Sequence, residues 1–137
     1  MTSLSVVLSI PVGINSSGQG ATRTPGTYLP VVKRRQADGQ VYAALRLSPA
    51  ARQWKADAAT MTRFEASKAG WEAGAGRLRL AVLRNDGHDI DSGIKLLMDA
   101  VALGLGVDDA RFGQVILTRA ESCRRDCLLV IVEGMDE

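Results

Sequence analysis

Between residues 77 and 119 the hydrophobic pattern changes period twice, which restricts the chain to folds in which helices lie on a sheet. RLRLAVLR at 77–84 alternates every second residue and predicts a strand with Leu78, Leu80 and Val82 on one face. A polar turn, NDGHDI, follows at 85–90. Ile94, Leu97, Met98, Val101 and Leu105 then recur at helical spacing, predicting a helix that starts near Asp91 or Ser92 and ends at Gly104 and Gly106. QVILTR at 114–119 returns to strand.

The flanking sequence extends this alternation. SLSVVLS at 3–9 reads as a strand stopped by Pro11 and Gly13. From Asn15 to Pro30 the chain is rich in Gly, Ser, Thr and Pro without periodicity, which predicts a long loop. With the cluster Lys33, Arg34 and Arg35, residues 11–40 form a long basic loop region. VYAALRL at 41–47 predicts a strand. Ser48 is suited to cap a helix and Pro49 to its first position, so a helix should run towards Lys68 with a buried stripe of Ala51, Trp54, Ala58, Met61 and Phe64. WEAGAG at 71–76 is a turn, and DCLLVIVE at 126–133 is a last strand beyond a basic hairpin region containing Arg124 and Arg125. The expected fold is a single domain over 1–137 of the α/β (α+β) class. Two main helices pack on a mixed sheet of about five strands, in the order β-β-α-β-α-β-β.

Composition removes several classes of function. With 46% hydrophobic and 23% charged residues the chain has the balance of a globular protein rather than a disordered one. No apolar stretch approaches the roughly 20 residues that span a bilayer, and the apolar start lacks a basic leader or a cleavage pattern. The reading is therefore a cytoplasmic protein with no membrane partner. Cys123 and Cys127 lie four apart without a nearby histidine, which fits no common zinc spacing and predicts reduced thiols. The net charge of +2 conceals a polarity: residues 1–84 carry 12 Lys and Arg against 4 Asp and Glu, whereas residues 85–137 carry 5 against 11. A basic half can neutralise phosphates, and an acidic cluster can hold divalent cations.

The acids are concentrated around the second helix. Asp89 and Asp91 can turn towards one ligand if the chain bends at Gly87. Asp91, Lys95 and Asp99 follow at i,i+4 steps on one helix face, and Asp108 or Asp109 can return to the same end. Three carboxylates and a lysine would suit phosphodiester hydrolysis, in which magnesium (manganese as a substitute) and an ammonium group offset the charge on the phosphoryl oxygens. Spacing alone equally allows turn and cap residues with a surface ion pair. A calcium loop is excluded, because counting from Asp89 puts Ala100 where a bidentate Glu is required.

The segment DIDSGIKLLMDAVALGLGVDDARFGQVILTR, residues 89–119, resembles the RusA family of Holliday junction resolvases. Asp89 and Asp91 match the family's first two acids, Lys95 its lysine, Asp99 its helix acid and Asp108-Asp109 its late pair, with Asp109 as the catalytic member. The resemblance extends to the strand, proline and Asn15 near the start and to SPAARQW at the first helix. It implies a homodimeric, magnesium-dependent endonuclease, often phage-borne, that resolves four-way DNA junctions by paired nicks in recombination and repair. The catalytic set is then Asp89, Asp91, Lys95 and Asp109, with Asp89, Asp91 and Asp109 on the metal and Asp99, Ser92 and Asp108 in support. The family's Asn after the second acid is Ser92 here, followed by Gly93. Candidate DNA contacts are Asn15, Arg23, Lys33, Arg34, Arg35, Arg52 and Lys55, of which the basic side chains supply salt-sensitive affinity. His88 reads as a turn residue beside the acids, and Trp54 and Trp71 as packing residues. The alternatives are a non-catalytic junction-binding or DNA-binding module of the same fold and, more remotely, a small-molecule phosphohydrolase.

Overall fold

A computed structural model describes residues 3–11 and 28–135. In chain order the elements are β1 (Ser3–Ser9), β2 (Tyr28–Arg34), β3 (Val41–Leu47), α1 (Pro49–Ala69), β4 (Leu78–Arg84), α2 (Ile94–Leu105), a 3-10 turn at Asp109–Arg111, β5 (Phe112–Arg119) and β6 (Cys127–Gly134). The class is the expected α+β, with two helices on one face of a mixed sheet. That sheet has the order β1-β6-β4-β5, in which β6 is antiparallel to β1 and β4, and β5 is parallel to β4. A parallel pair needs a crossover connection, and α2 provides it. The β4–β5 pairing contains one irregularity: Leu78 faces Phe112 but Arg79 faces Gln114, so Gly113 is the extra residue of a bulge. Beyond it the pairing runs to Arg84 opposite Arg119.

Strict alternation in three strands builds the floor of the core. Leu4, Val6 and Leu8, Leu78, Leu80 and Val82, and Leu128, Val130 and Val132 are buried beneath Ala51, Trp54 and Ala58 of α1 and Leu96, Leu97, Ala100 and Val101 of α2. Ser48 caps α1 as expected, its Oγ accepting from the Ala51 amide at 3.1 Å, and Gly70 ends the helix in the left-handed region. Trp54 ties α1 to the sheet edge by donating from Nε1 to Ser9 Oγ at 3.0 Å.

Four local expectations need correction. The buried stripe of α1 runs through Ala51, Trp54, Ala58, Ala59 and Thr62, leaving Met61 and Phe64 exposed, the latter at 58%. Thr62 is buried because its Oγ1 donates to the Ala58 carbonyl at 2.8 Å, which satisfies the hydroxyl. Gly104 does not end α2. It lies inside the helix, where a Cβ would come within 2.5 Å of the Ala59 carbonyl oxygen; α1 and α2 approach closely because it has none. Gly106 is the terminator. At the other end α2 begins at Ile94 rather than at Asp91 or Ser92, because Gly93 takes a left-handed conformation (φ 74°) and residues 91–93 form a turn.

The fourth correction concerns the basic loop region. Residues 28–34 are a strand, so the described residues form six strands rather than five and open β-β-β. β2 and β3 pair antiparallel in a ribbon of their own, separate from the main sheet. Pro30 is compatible with this because a strand in a two-stranded ribbon has one edge that needs no donor. The stretch of that region containing Asn15 and Arg23 lies outside the described residues.

Candidate active site

The acids lie on two connections that leave or enter the parallel pair. The first, residues 85–93, links the end of β4 to α2; the second, residues 106–111, links α2 to β5. Gly87 (φ 84°) supplies the bend on which the first connection depends. Asp89 and Asp91 stand exposed on it, and among the described residues neither carboxylate has a hydrogen-bond or ion-pair partner. Their backbone carbonyls shape the turn, Asp89 accepting from the Ser92 amide at 3.0 Å and Asp91 from the Ile94 amide at 3.3 Å. Ser92 is buried and does not cap α2 with its side chain.

Lys95, in the first turn of α2, sits between two other acids. Its Nζ donates to Asp99 Oδ1 and to Asp109 Oδ2, both at 3.0 Å. The Asp99 pair is the i,i+4 contact expected on a helix, whereas the Asp109 pair closes a tertiary contact across the second connection. The hydrogen bond from Lys95, helped by one involving Asp108, holds the Asp109 carboxyl below the usual carboxylate range. Conversely Asp109 first, then Asp99, raise the Lys95 ammonium above its ordinary value. Asp108 caps the 3-10 turn, its Oδ1 accepting from the Ala110 amide at 2.9 Å. Lys95 nevertheless remains 65% exposed.

The expected constellation is thus arranged in two parts. Lys95, Asp99 and Asp109 are together, and Asp89 and Asp91 share the neighbouring turn. Asp91 precedes the helix, so it does not share a helical face with Lys95 and Asp99 as the spacing suggested. Among the described residues no three His, Cys, Asp or Glu side chains are grouped so as to hold a metal ion. The free carboxylates of Asp89 and Asp91 fit magnesium in donor chemistry, since that ion takes one or two carboxylates and completes its shell with water and phosphate. Asp109, bound to Lys95, is not grouped with them.

Three arginines without a place in the sequence pattern hold these connections. Arg84, fully buried at the end of β4, donates from Nε to Asp86 Oδ1 at 2.8 Å and from Nη2 to Asp86 Oδ2 at 2.6 Å. This fork holds the Asp86 carboxyl below its usual range. Arg119 on β5 donates to the His88 carbonyl at 2.6 Å. Arg111 ties the second connection to the glycine turn, donating to the carbonyls of Gly74 at 2.9 Å and Gly76 at 3.1 Å. Parity is a signal that would have found one of them, because Leu78, Leu80, Val82 and Arg84 fall on the same face of β4.

The candidate DNA contacts lie on other elements. Lys33, Arg34 and Arg35 are exposed at the turn end of the β2–β3 ribbon, where Arg35 is 3.7 Å from Asp38. Arg52 and Lys55 are on the first turns of α1, Arg52 exposed and Lys55 half-buried. No helix among the described residues is long and apolar enough to cross a membrane. No protein-family model matches the chain, and no curated protein matches it.

Proposed function

We propose that the chain is a magnesium-dependent, structure-selective endodeoxyribonuclease that acts on four-way DNA junctions. The observation that carries this reading is the pair of exposed carboxylates of Asp89 and Asp91, without a partner among the described residues and close in the chain to a lysine bracketed by two more acids. The likeness of residues 89–119 to the RusA resolvases supplies the substrate, and the basic ribbon supplies a surface for phosphate. Asp89 and Asp91 would hold the ion. Magnesium, when bound, offsets charge on the phosphoryl oxygens and favours a nucleophilic water. Lys95 presents an ammonium, oriented by Asp99 and Asp109, to the scissile phosphate. The start of α2 favours the same anion, because the helix dipole is positive there. A homodimer, working in the cytoplasm of a bacterial or phage-infected cell, would place two equivalent sites on a two-fold junction.

Asp91→Asn should abolish magnesium-dependent cleavage of a synthetic four-way junction while leaving junction binding intact in a mobility-shift assay. Undiminished cleavage would remove Asp91 from the site. A second reading, a junction-binding module of the same fold without catalysis, is favoured by one observation: Asp109 lies against Lys95 rather than beside Asp89 and Asp91. Wild-type protein that binds junctions but never cuts them, with magnesium or manganese, would select it.

A further inference from the structure

The connection that carries Asp89 and Asp91 is suspended from two arginines. Arg84 and Arg119 are partners in the β4–β5 register, so their side chains leave adjacent strand ends. Arg119 Nη2 donates to the carbonyl of His88 at 2.6 Å. Arg84 Nη1 donates to the carbonyl of Ser92 at 2.7 Å and approaches that of Ile90 at 3.4 Å. The held carbonyls therefore belong to residues 88, 90 and 92, and the acids are the residues between them. Asp91 in particular stands between two carbonyls drawn to a single nitrogen. Its side chain is exposed while the backbone on both sides is held from beneath.

Stability alone is a poor explanation for this construction. Arg84 and Asp86 have side chains 0% and 2% exposed, and burying an ion pair costs desolvation that its Coulomb attraction offsets only in part. The guanidinium does bring a planar fork with five donors, here shared between Asp86 and the Ile90 and Ser92 carbonyls, so one rigid group sets the path of both flanks of the turn. Asp86 orients the fork and keeps its charge matched.

We propose that Arg84, Asp86 and Arg119 are positioning residues, which fix where Asp89 and Asp91 stand by holding the carbonyls of residues 88, 90 and 92. The inference rests on the reading of Asp89 and Asp91 as the acids of the site. Its test measures the turn directly. Amide hydrogen exchange is followed in wild-type protein and in Arg119→Ala, Arg119→Lys and Asp86→Asn. Arg119 is exposed, so its replacement spares the core even if Asp86→Asn impairs folding. Exchange across residues 88–93 should rise at least tenfold in Arg119→Ala and Asp86→Asn, with β4 and β6 unchanged, and Arg119→Lys should restore much of the protection. Manganese affinity, read by calorimetry in the same variants, should fall several-fold. Unchanged exchange at 88–93, or an increase spread evenly over the core strands, would overturn the proposal. Loosening of the turn in a protein whose wild type does not cut junctions would remove the nuclease reading and leave the positioning role standing.

Discussion

Lys95 joins Asp99 of α2 to Asp109 of the second connection, and at 65% exposure its charge can be removed without disturbing the core. Because its hydrogen bond lowers the Asp109 carboxyl, the ion pair exists above the ordinary carboxylate range and is lost as pH falls through the lowered Asp109 value. Lys95→Met should move the Asp109 titration upwards towards that ordinary range, followed by the carboxyl carbon shift in NMR. An unmoved titration would show that Lys95 does not set it. Both groups are solvent-exposed, so thermal stability should scarcely change. The Lys95–Asp99 half of this cluster was legible in the sequence because it is local. The Asp109 half was not, since spacing did not separate Asp109 from Asp108 and only the family resemblance did. Arg84 was legible from its parity in β4, but a charged residue on an apolar face is passed over when alternation is counted only in hydrophobic residues.

Where a helix stops and which strand joins which sheet depend on neighbours that no local pattern contains. Gly104 is the clearest instance: glycine reads as a terminator, yet it permits the close crossing of α1 and α2. Gly104→Ala should destabilise the fold by about 1–3 kcal/mol through overpacking against the Ala59 carbonyl and Thr62. That outcome runs opposite to the ~1 kcal/mol that alanine gains over glycine by helix propensity alone. Urea unfolding decides between them, and a stabilised variant would contradict the packing argument. The strand β4 announced itself by period two and β1 by its β-branched and apolar content, and in β1, β4 and β6 alike alternate residues are buried. β2 did not, because Pro25 and Pro30 and the surrounding Gly and Thr read as a loop, and the strand is created by its pairing with β3.

Over the whole molecule the charge polarity of the sequence is only partly an architectural one. The ribbon carries Lys33, Arg34 and Arg35 apart from the connections that carry Asp86, Asp89, Asp91, Asp108 and Asp109, whereas the remaining basic residues of the first half lie largely on α1 and β4. If the ribbon touches DNA backbone, replacing these three residues by alanine should weaken binding equally for every DNA sequence. The plot of log affinity against log salt should also flatten by about 0.9 for each phosphate that is no longer neutralised. Fluorescence anisotropy over a salt series measures this, and an unaltered slope would separate the ribbon from the DNA. The sequence disclosed this polarity and the fold class, but not that the strand expected at 41–47 belongs to a separate ribbon. The bulge at Gly113 also governs how the sheet counts. Were Gly113 paired in step with Arg79 instead of bulged, Arg84 would stand opposite Thr118, and no arginine of β5 would be aligned beneath the turn. One glycine, at the far end of the strand, thereby sets the phase of the ruler against which the acids are measured.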